Sequence, residues 1–93
     1  MVKITLESIG KLSSYFGNEN INIDLDDEAS IMDLLSVIDD RWGAILPGFM
    51  WNSKKQKFRG PIIIAVNNEI VRDLKTRLKN NDKVQIIKAF VGG

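Results

Sequence analysis

The sequence predicts an α+β fold, a mixed sheet covered by one main helix. Three observations carry that expectation. Val2, Ile4 and Leu6 alternate with polar neighbours, as do Ile21, Ile23 and Leu25, which is the period-two signature of strands with one buried face. Ile31, Leu34, Leu35, Ile38 and Trp42 repeat at three- and four-residue spacing, the stripe of an amphipathic helix. The apolar, mostly β-branched run Ile62–Val66 and a last stretch around Val84 and Ile86 add strands after the helix.

Taken in order, the first alternation breaks at Gly10. Leu12, Tyr15 and Phe16 follow at roughly helical spacing, so a short turn is expected to pack them back on the sheet. The second strand, around 21–25, is expected to pair antiparallel with the first through a connection too long for a tight hairpin. Asp26, Asp27 and Glu28 place negative charge at the start of the main helix, where the dipole favours it. Ser30 is the expected N-cap, with Asp33 as the acidic partner of a capping box. Gly43 is the expected helix stop. The segment 43–60 carries Leu46, Phe49, Met50, Trp51 and Phe58, too many large apolar groups for a bare loop, so part of it must pack on the core or on a partner. Lys54, Lys55, Lys57 and Arg59 in the same segment read as a solvated loop tip. Ile62–Val66 reads as a strand buried on both faces. Asn67-Asn68 marks a turn, because asparagine tolerates left-handed backbone angles. Ile70 and Val71 suggest a short return strand, and Leu74 and Leu78 anchor a connection to the turn Asn80-Asn81-Asp82. The last strand is expected over 83–89, with Val84, Ile86 and Ile87 mostly buried. First and last strands as central parallel neighbours under one helix make the β-grasp, the ubiquitin-like roll. A ferredoxin-like fold would need a second full helix, and the pattern contains none.

Composition narrows the function. Ninety-three residues, 44% of them apolar, suit one domain spanning residues 1–93 with a core that needs no metal or disulfide. The absence of cysteine excludes a disulfide framework, a zinc–thiolate site and a thiol nucleophile. The absence of histidine removes the commonest general base and metal ligand. The expectation is therefore a protein that is not itself an enzyme and binds no metal or cofactor. A net charge of +1 gives no bias toward nucleic acid or anionic membrane. No apolar run resembles a signal peptide or a membrane span, so a cytoplasmic location is expected.

The chain ends Val91-Gly92-Gly93. Glycine usage of roughly 7% makes a diglycine at a given place a chance event in about one chain in two hundred. An incidental chain end is the competing reading, and the rest of the chain decides between them. Glycine lacks Cβ, so Gly92 and Gly93 suit passage through a narrow channel.

Three segments bear on that choice. Val66-Asn67-Asn68-Glu69-Ile70-Val71 is similar to a V-N-G-E-x-V turn. Leu78-Lys79-Asn80-Asn81-Asp82-Lys83-Val84 is similar to an L-K-D-G-D-x-V turn. Gly92-Gly93 matches a terminal diglycine. In this order they resemble the ubiquitin-like sulfur carriers, the molybdopterin synthase small subunit and the thiamine-pathway carrier. Asn68 and Asn81 stand where the family has glycine, and asparagine is the best other occupant of a left-handed position. Ala89 is closer to the thiamine branch, while the long 43–60 segment is closer to the molybdopterin branch.

The resemblance implies a mechanism. The Gly93 carboxylate would be adenylated by a ubiquitin-activating-type adenylyltransferase that uses ATP and magnesium, then converted to a thiocarboxylate for molybdopterin synthesis. The sulfur would pass to a molybdopterin synthase large subunit or equivalent acceptor. Phe90, Val91 and Gly92 would guide the tail into the partner. Two alternatives stand beside this one. In the first, a protein modifier is joined to lysine amines through Gly93. In the second, a β-grasp interaction module uses its basic 54–59 loop and its diglycine is incidental.

Overall fold

In the computed structural model, which describes residues 1–59 and 62–88, the first alternation forms strand β1 (Val2–Ser8) with Ile4, Leu6 and Ser8 buried. The expected turn after it is a short helix, α1 (Lys11–Phe16), whose Leu12 and Phe16 enter the core. It ends at Gly17, where φ is +89°, an angle that a Cβ would strain. Strand β2 (Asn20–Leu25) returns antiparallel to β1. The register sets Val2 against Leu25, Ile4 against Ile23 and Leu6 against Ile21, so apolar meets apolar along one face.

Helix α2 (Ile31–Trp42) starts with the expected capping box. The Ser30 hydroxyl accepts from the Asp33 amide, and the Asp33 carboxylate accepts from the Ser30 amide at 2.7 Å. Two further amides at this helix start find acceptors elsewhere in the chain. Ile31 donates to the Thr76 carbonyl at 3.0 Å and Met32 to that of Leu74 at 2.9 Å. The 74–78 connection therefore serves as a second cap, satisfying donors that no helix can satisfy internally. Ile31, Leu34, Leu35 and Ile38 are buried in one cluster with the sheet residues Ile4, Leu6, Val84 and Ile86. Half-buried Trp42 meets Phe16 edge-on, with ring centroids 5.1 Å apart.

Gly43 ends the helix for a different reason from the one expected. Its backbone is right-handed (φ −55°, ψ −34°), so no left-handed turn requires glycine here. Space does: a Cβ would lie 2.5 Å from both the carbonyl oxygen and Oδ1 of Asp39.

The segment after Gly43 carries a hairpin, β3 (Trp51–Asn52) with β4 (Lys57–Phe58), that forms a separate two-stranded sheet. Leu46, Met50 and Trp51 are buried in the main core, and Phe58 meets Trp51 edge-on at 4.8 Å. The Trp51 indole N–H donates to Asp39 Oδ1 at 2.8 Å, and Gln56 reaches both Asp39 and Ser36. The hairpin is thus fastened to one side of α2. The Trp51 hydrogen bond holds the Asp39 carboxyl below its ordinary value of 3.8, with Ser53 and Gln56 assisting and burial opposing. A carboxyl whose value is lowered by folding contributes stability above its unfolded value, and that contribution is lost as pH falls through the folded value. Asp39→Asn should therefore narrow its stability gap to the parent protein as pH falls from neutral to well below 3.8. Denaturant midpoints across that range test this, and a gap independent of pH would refute the assignment.

The remaining strands are β5 (Ile62–Val66), β6 (Glu69–Ile70) and β7 (Lys83–Lys88). The five-stranded sheet has the order β2-β1-β7-β5-β6, with β1 and β7 parallel neighbours and the other pairs antiparallel. This is the β-grasp roll: a mixed sheet with one dominant helix. Asn67 and Asn68 (φ 50° and 71°) make the β5–β6 turn, and Asn81 (φ 72°) the turn before β7, each in the left-handed region as expected. Two burial expectations are corrected. Of β5, only Ile64 and Ala65 are buried, and Ile87 in β7 is 37% exposed. Ile63 and Ile87 face each other in register on the opposite side from Ile64 and Ile86. That second side lacks the helix cover that buries the first.

Candidate functional site

Phe90, Val91, Gly92 and Gly93, the residues expected to carry the chemistry, lie outside the described residues, as does Ala89. What the structure defines is the strand that delivers them and the surface beside its end. β7 sits in the middle of the sheet, hydrogen-bonded to β1 on one edge and β5 on the other.

The start of β7 is pinned by side chains from the two turns that carried the family resemblance. Asp82, only 9% exposed, accepts from Asn67 Nδ2 at 2.9 Å and from the Lys79 amide at 2.7 Å. Asn67 Oδ1 in return accepts from the Lys83 amide at 3.0 Å. Asn68 and Gln85 exchange a matched pair, amide to Gln85 Oε1 and Gln85 Nε2 to Asn68 Oδ1, each at 2.8 Å. The Asp82 carbonyl accepts from the Thr5 amide at 2.9 Å, and Asn81 donates to the Lys3 carbonyl at 2.7 Å. Two turns far apart in the chain thus form one network that sets the register of β7 against β1 and β5. Of these, the two bonds to Asp82 are part-buried, and leaving that carboxylate unsatisfied costs about 1–3 kcal/mol. Asp82 and Gln85 were not singled out from the sequence as partners of the asparagines. Their chain spacing holds no signal for it, because the contact exists only once β5 and β7 are paired.

At about 3.3 Å per residue, β7 carries the chain roughly 17 Å from that network to Lys88. There it borders a groove of about 660 Å³ between α1, β7, the start of β5 and the loop before β3. Ile9, Leu12, Tyr15, Phe49, Ile62 and Ile86 form its apolar wall, with Lys11 and Lys88 also lining it. Ile9 and Phe49 are 79% and 69% exposed. Away from this end, Lys54, Lys55 and Lys57 are exposed on the β3–β4 hairpin. The Asp27 carboxylate takes the Met1 ammonium, and Glu28 pairs with Arg77 at 3.5 Å. Both pairs are exposed, and such pairs contribute little. Among the described residues no group of three or more histidine, cysteine, aspartate or glutamate side chains is placed to hold a metal ion. Among them, too, no helix is long and apolar enough to cross a membrane.

A sequence model described as the ThiS family matches residues 9–93. No curated protein sequence matches the chain. Several solved structures share its fold. SAMP1 from Haloferax volcanii superposes with a TM-score of 0.78 at 18% identity, covering 98% of this chain and 99% of the other. The small archaeal modifier protein 1 of Methanosarcina acetivorans gives 0.75 at 22%, covering 100% and 98%. A putative molybdopterin converting factor, subunit 1, from Pyrococcus furiosus gives 0.71 at 22%, covering 92% and 95%.

Proposed function

Since this chain belongs to the ThiS family, we propose that it is a carrier of the ubiquitin-like kind that acts through the carboxylate of Gly93, and that it serves as a protein modifier. The observation that carries the reading is the diglycine four and five residues beyond Lys88, the last residue of a central strand whose register is pinned at its start. A terminal carboxyl has a reference pKa of about 3.3–3.7, so near neutral pH it is an anion and a poor electrophile. Activation is supplied in trans. An adenylyltransferase holding ATP and magnesium lets a Gly93 oxygen attack the α-phosphorus, with pyrophosphate leaving. A lysine amine of the acceptor protein then attacks the Gly93 carbonyl, and AMP departs as the isopeptide bond forms. This chain contributes the handle, the narrow Gly92-Gly93 passage and a docking surface. The shared fold with modifier proteins, at TM-scores of 0.78 and 0.75, supports this reading.

Family membership and the likeness to a molybdopterin converting factor subunit favour a second reading. In it the outer sulfur of a persulfide on the activating system displaces AMP to form an acyl disulfide. A second thiol of that system then cleaves the S–S bond, ending as a disulfide with the first sulfur and releasing the acyl sulfur on Gly93. The resulting Gly93 thiocarboxylate delivers sulfur to a molybdopterin synthase large subunit or an equivalent acceptor. Mass spectrometry of the tagged protein purified from its native cells separates the two. The modifier reading expects acceptor lysines bearing this chain's carboxy-terminal remnant, which after tryptic cleavage at Lys88 runs from Ala89 to Gly93. The sulfur-carrier reading expects free protein with one Gly93 oxygen replaced by sulfur. Finding neither would reject activation at Gly93.

A further inference from the structure

The two edges of the five-stranded sheet are unlike. At one, β6 is only two residues long (Glu69–Ile70). At the other, β2 runs six residues (Asn20–Leu25), paired with β1 in an unbroken register and, among the described residues, with no strand on its outer side. We propose that this outer edge of β2 is a docking site for an extended basic segment of a partner protein, which joins the sheet as a further strand and places its cations among the carboxylates at the end of β2.

Backbone geometry carries the first part. The Ser8 amide donates to the Glu19 carbonyl at 2.9 Å, so these two residues form a hydrogen-bonded pair of the antiparallel ladder. Two residues at a time, the register then brings Ile21, Ile23 and Leu25 into the same kind of pair with Leu6, Ile4 and Val2. Lys3 and Thr5, which stand across from Asp24 and Asn22, turn their backbone groups the other way, to Asn80, Asn81 and Asp82. Asn22 and Asp24 therefore aim both N–H and C=O outward, four groups over roughly 7 Å of strand, and none has a partner among the described residues. Such a row is a template for another strand, and sheets guard their edges with lysine, proline, bulges or short length. Shortness guards β6. The β2 sequence, Asn-Ile-Asn-Ile-Asp-Leu, contains no lysine or proline, and its register has no bulge.

Charge identifies the occupant. A shallow cleft of about 470 Å³ lies between the end of β2 and the start of α2. Asp24, Asp26, Asp27, Glu28 and Asp33 line it with carboxylates. Asp27 takes the Met1 ammonium, Glu28 takes Arg77, and Asp33 is engaged in the helix cap. Asp24 and Asp26 have no ion pair among the described residues, and Lys3, across the register from Asp24, forms none with it. Lysine or arginine on an added strand meets this unpaired charge, whereas an acidic segment is repelled. The alternate side chains of that strand fall on the helix side, beside half-buried Ile21 and Val37, where apolar residues suit.

The proposal concerns the sheet edge and does not depend on the reaction proposed at Gly93. The test is amide NMR of the full-length protein with a short capped peptide of alternating lysine and valine. Saturable shifts at Asn22 and Asp24 are expected, with hydrogen exchange at both amides slowed about tenfold or more in the complex and Glu69 and Ile70 unmoved. Asp24→Lys should weaken binding by about tenfold without changing the melt. A matched peptide of glutamate and valine should not bind, and the lysine peptide N-methylated at alternate residues should give no protection. Absence of binding by the lysine peptide overturns the proposal. So does binding without protection at Asn22 and Asp24, or equal binding by the N-methylated or the glutamate peptide; the first two would reduce the effect to adsorption by charge. Shifts at Asn22 and Asp24 on concentrating the protein alone would also overturn it, and assign the edge to a second copy of this chain.

Discussion

Adding one alanine after Gly93 is expected to abolish activation of the chain by its adenylyltransferase, read as ATP–pyrophosphate exchange. The added residue displaces the carboxylate by about 3.3–3.6 Å and replaces the attacking group with an amide. Misplacing a reacting atom by 1 Å can already cost about 10²-fold, so the extended protein should lose at least that much. Gly92→Val should fail comparably, because its Cβ and methyl groups would crowd the narrow partner passage proposed for the diglycine. The buried cluster around Ile4, Leu35 and Ile86 is built from residues 4–86, so thermal melts are expected to match those of the parent protein. Matched stability with lost exchange is the expected pair of results. Unchanged exchange for the extended protein would reject both the modifier and the sulfur-carrier readings. It would leave an interaction module, with the exposed Lys54, Lys55 and Lys57 of the hairpin as its most prominent charge.

Leu35→Ala should lower stability by about 2–5 kcal/mol, the range for a buried leucine whose removal leaves a partly collapsed cavity. Leu35 belongs to the cluster where α2 meets the sheet and the buried part of the hairpin segment. For a domain of this size each kcal/mol moves the melting temperature by about 4–8 °C, so the loss is large on a calorimetric scale. Met32, on the same helix but 49% exposed, provides the control. Its replacement by alanine should stay within about 0.5 kcal/mol. Equal losses at the two positions would mean that the buried stripe of the helix is not the one described.

Patterns spanning a few residues were legible in the sequence. The alternation at β1 and β2, the capping box at Ser30 and Asp33, and the left-handed asparagines at 67, 68 and 81 are local. Each follows from a side-chain period or a backbone preference that acts within about one turn of chain. The parallel pairing of β1 with β7 was also legible, because few compact arrangements cover this order of elements with one helix. The tail 90–93 lies outside the described residues, and the role proposed for it rests on the diglycine and the two turn segments that precede it.

Where the reading of single residues needed correction, the deciding neighbour was distant in the chain or unreadable from residue type. Gly43 looks like a left-handed helix stop, yet its role is to leave room for the Asp39 side chain that Trp51 holds. Ile87 has the character of a core residue, but alternation assigns parity and not which face will be covered. Only the placement of α2 and the hairpin segment on one side of the sheet left Ile63 and Ile87 on the other.

From the sequence alone came the element order, the helix face and the turn chemistry, because each is encoded by spacing or residue type over a short stretch. The tertiary structure decided how the 43–59 segment is used, how Asn67 and Asp82 lock the register of β7, and that a groove walled by Ile9, Phe49 and Ile86 opens beside Lys88. Those features join residues that lie tens of positions apart. Their contacts depend on how the whole core closes, and no local preference of either partner carries that information.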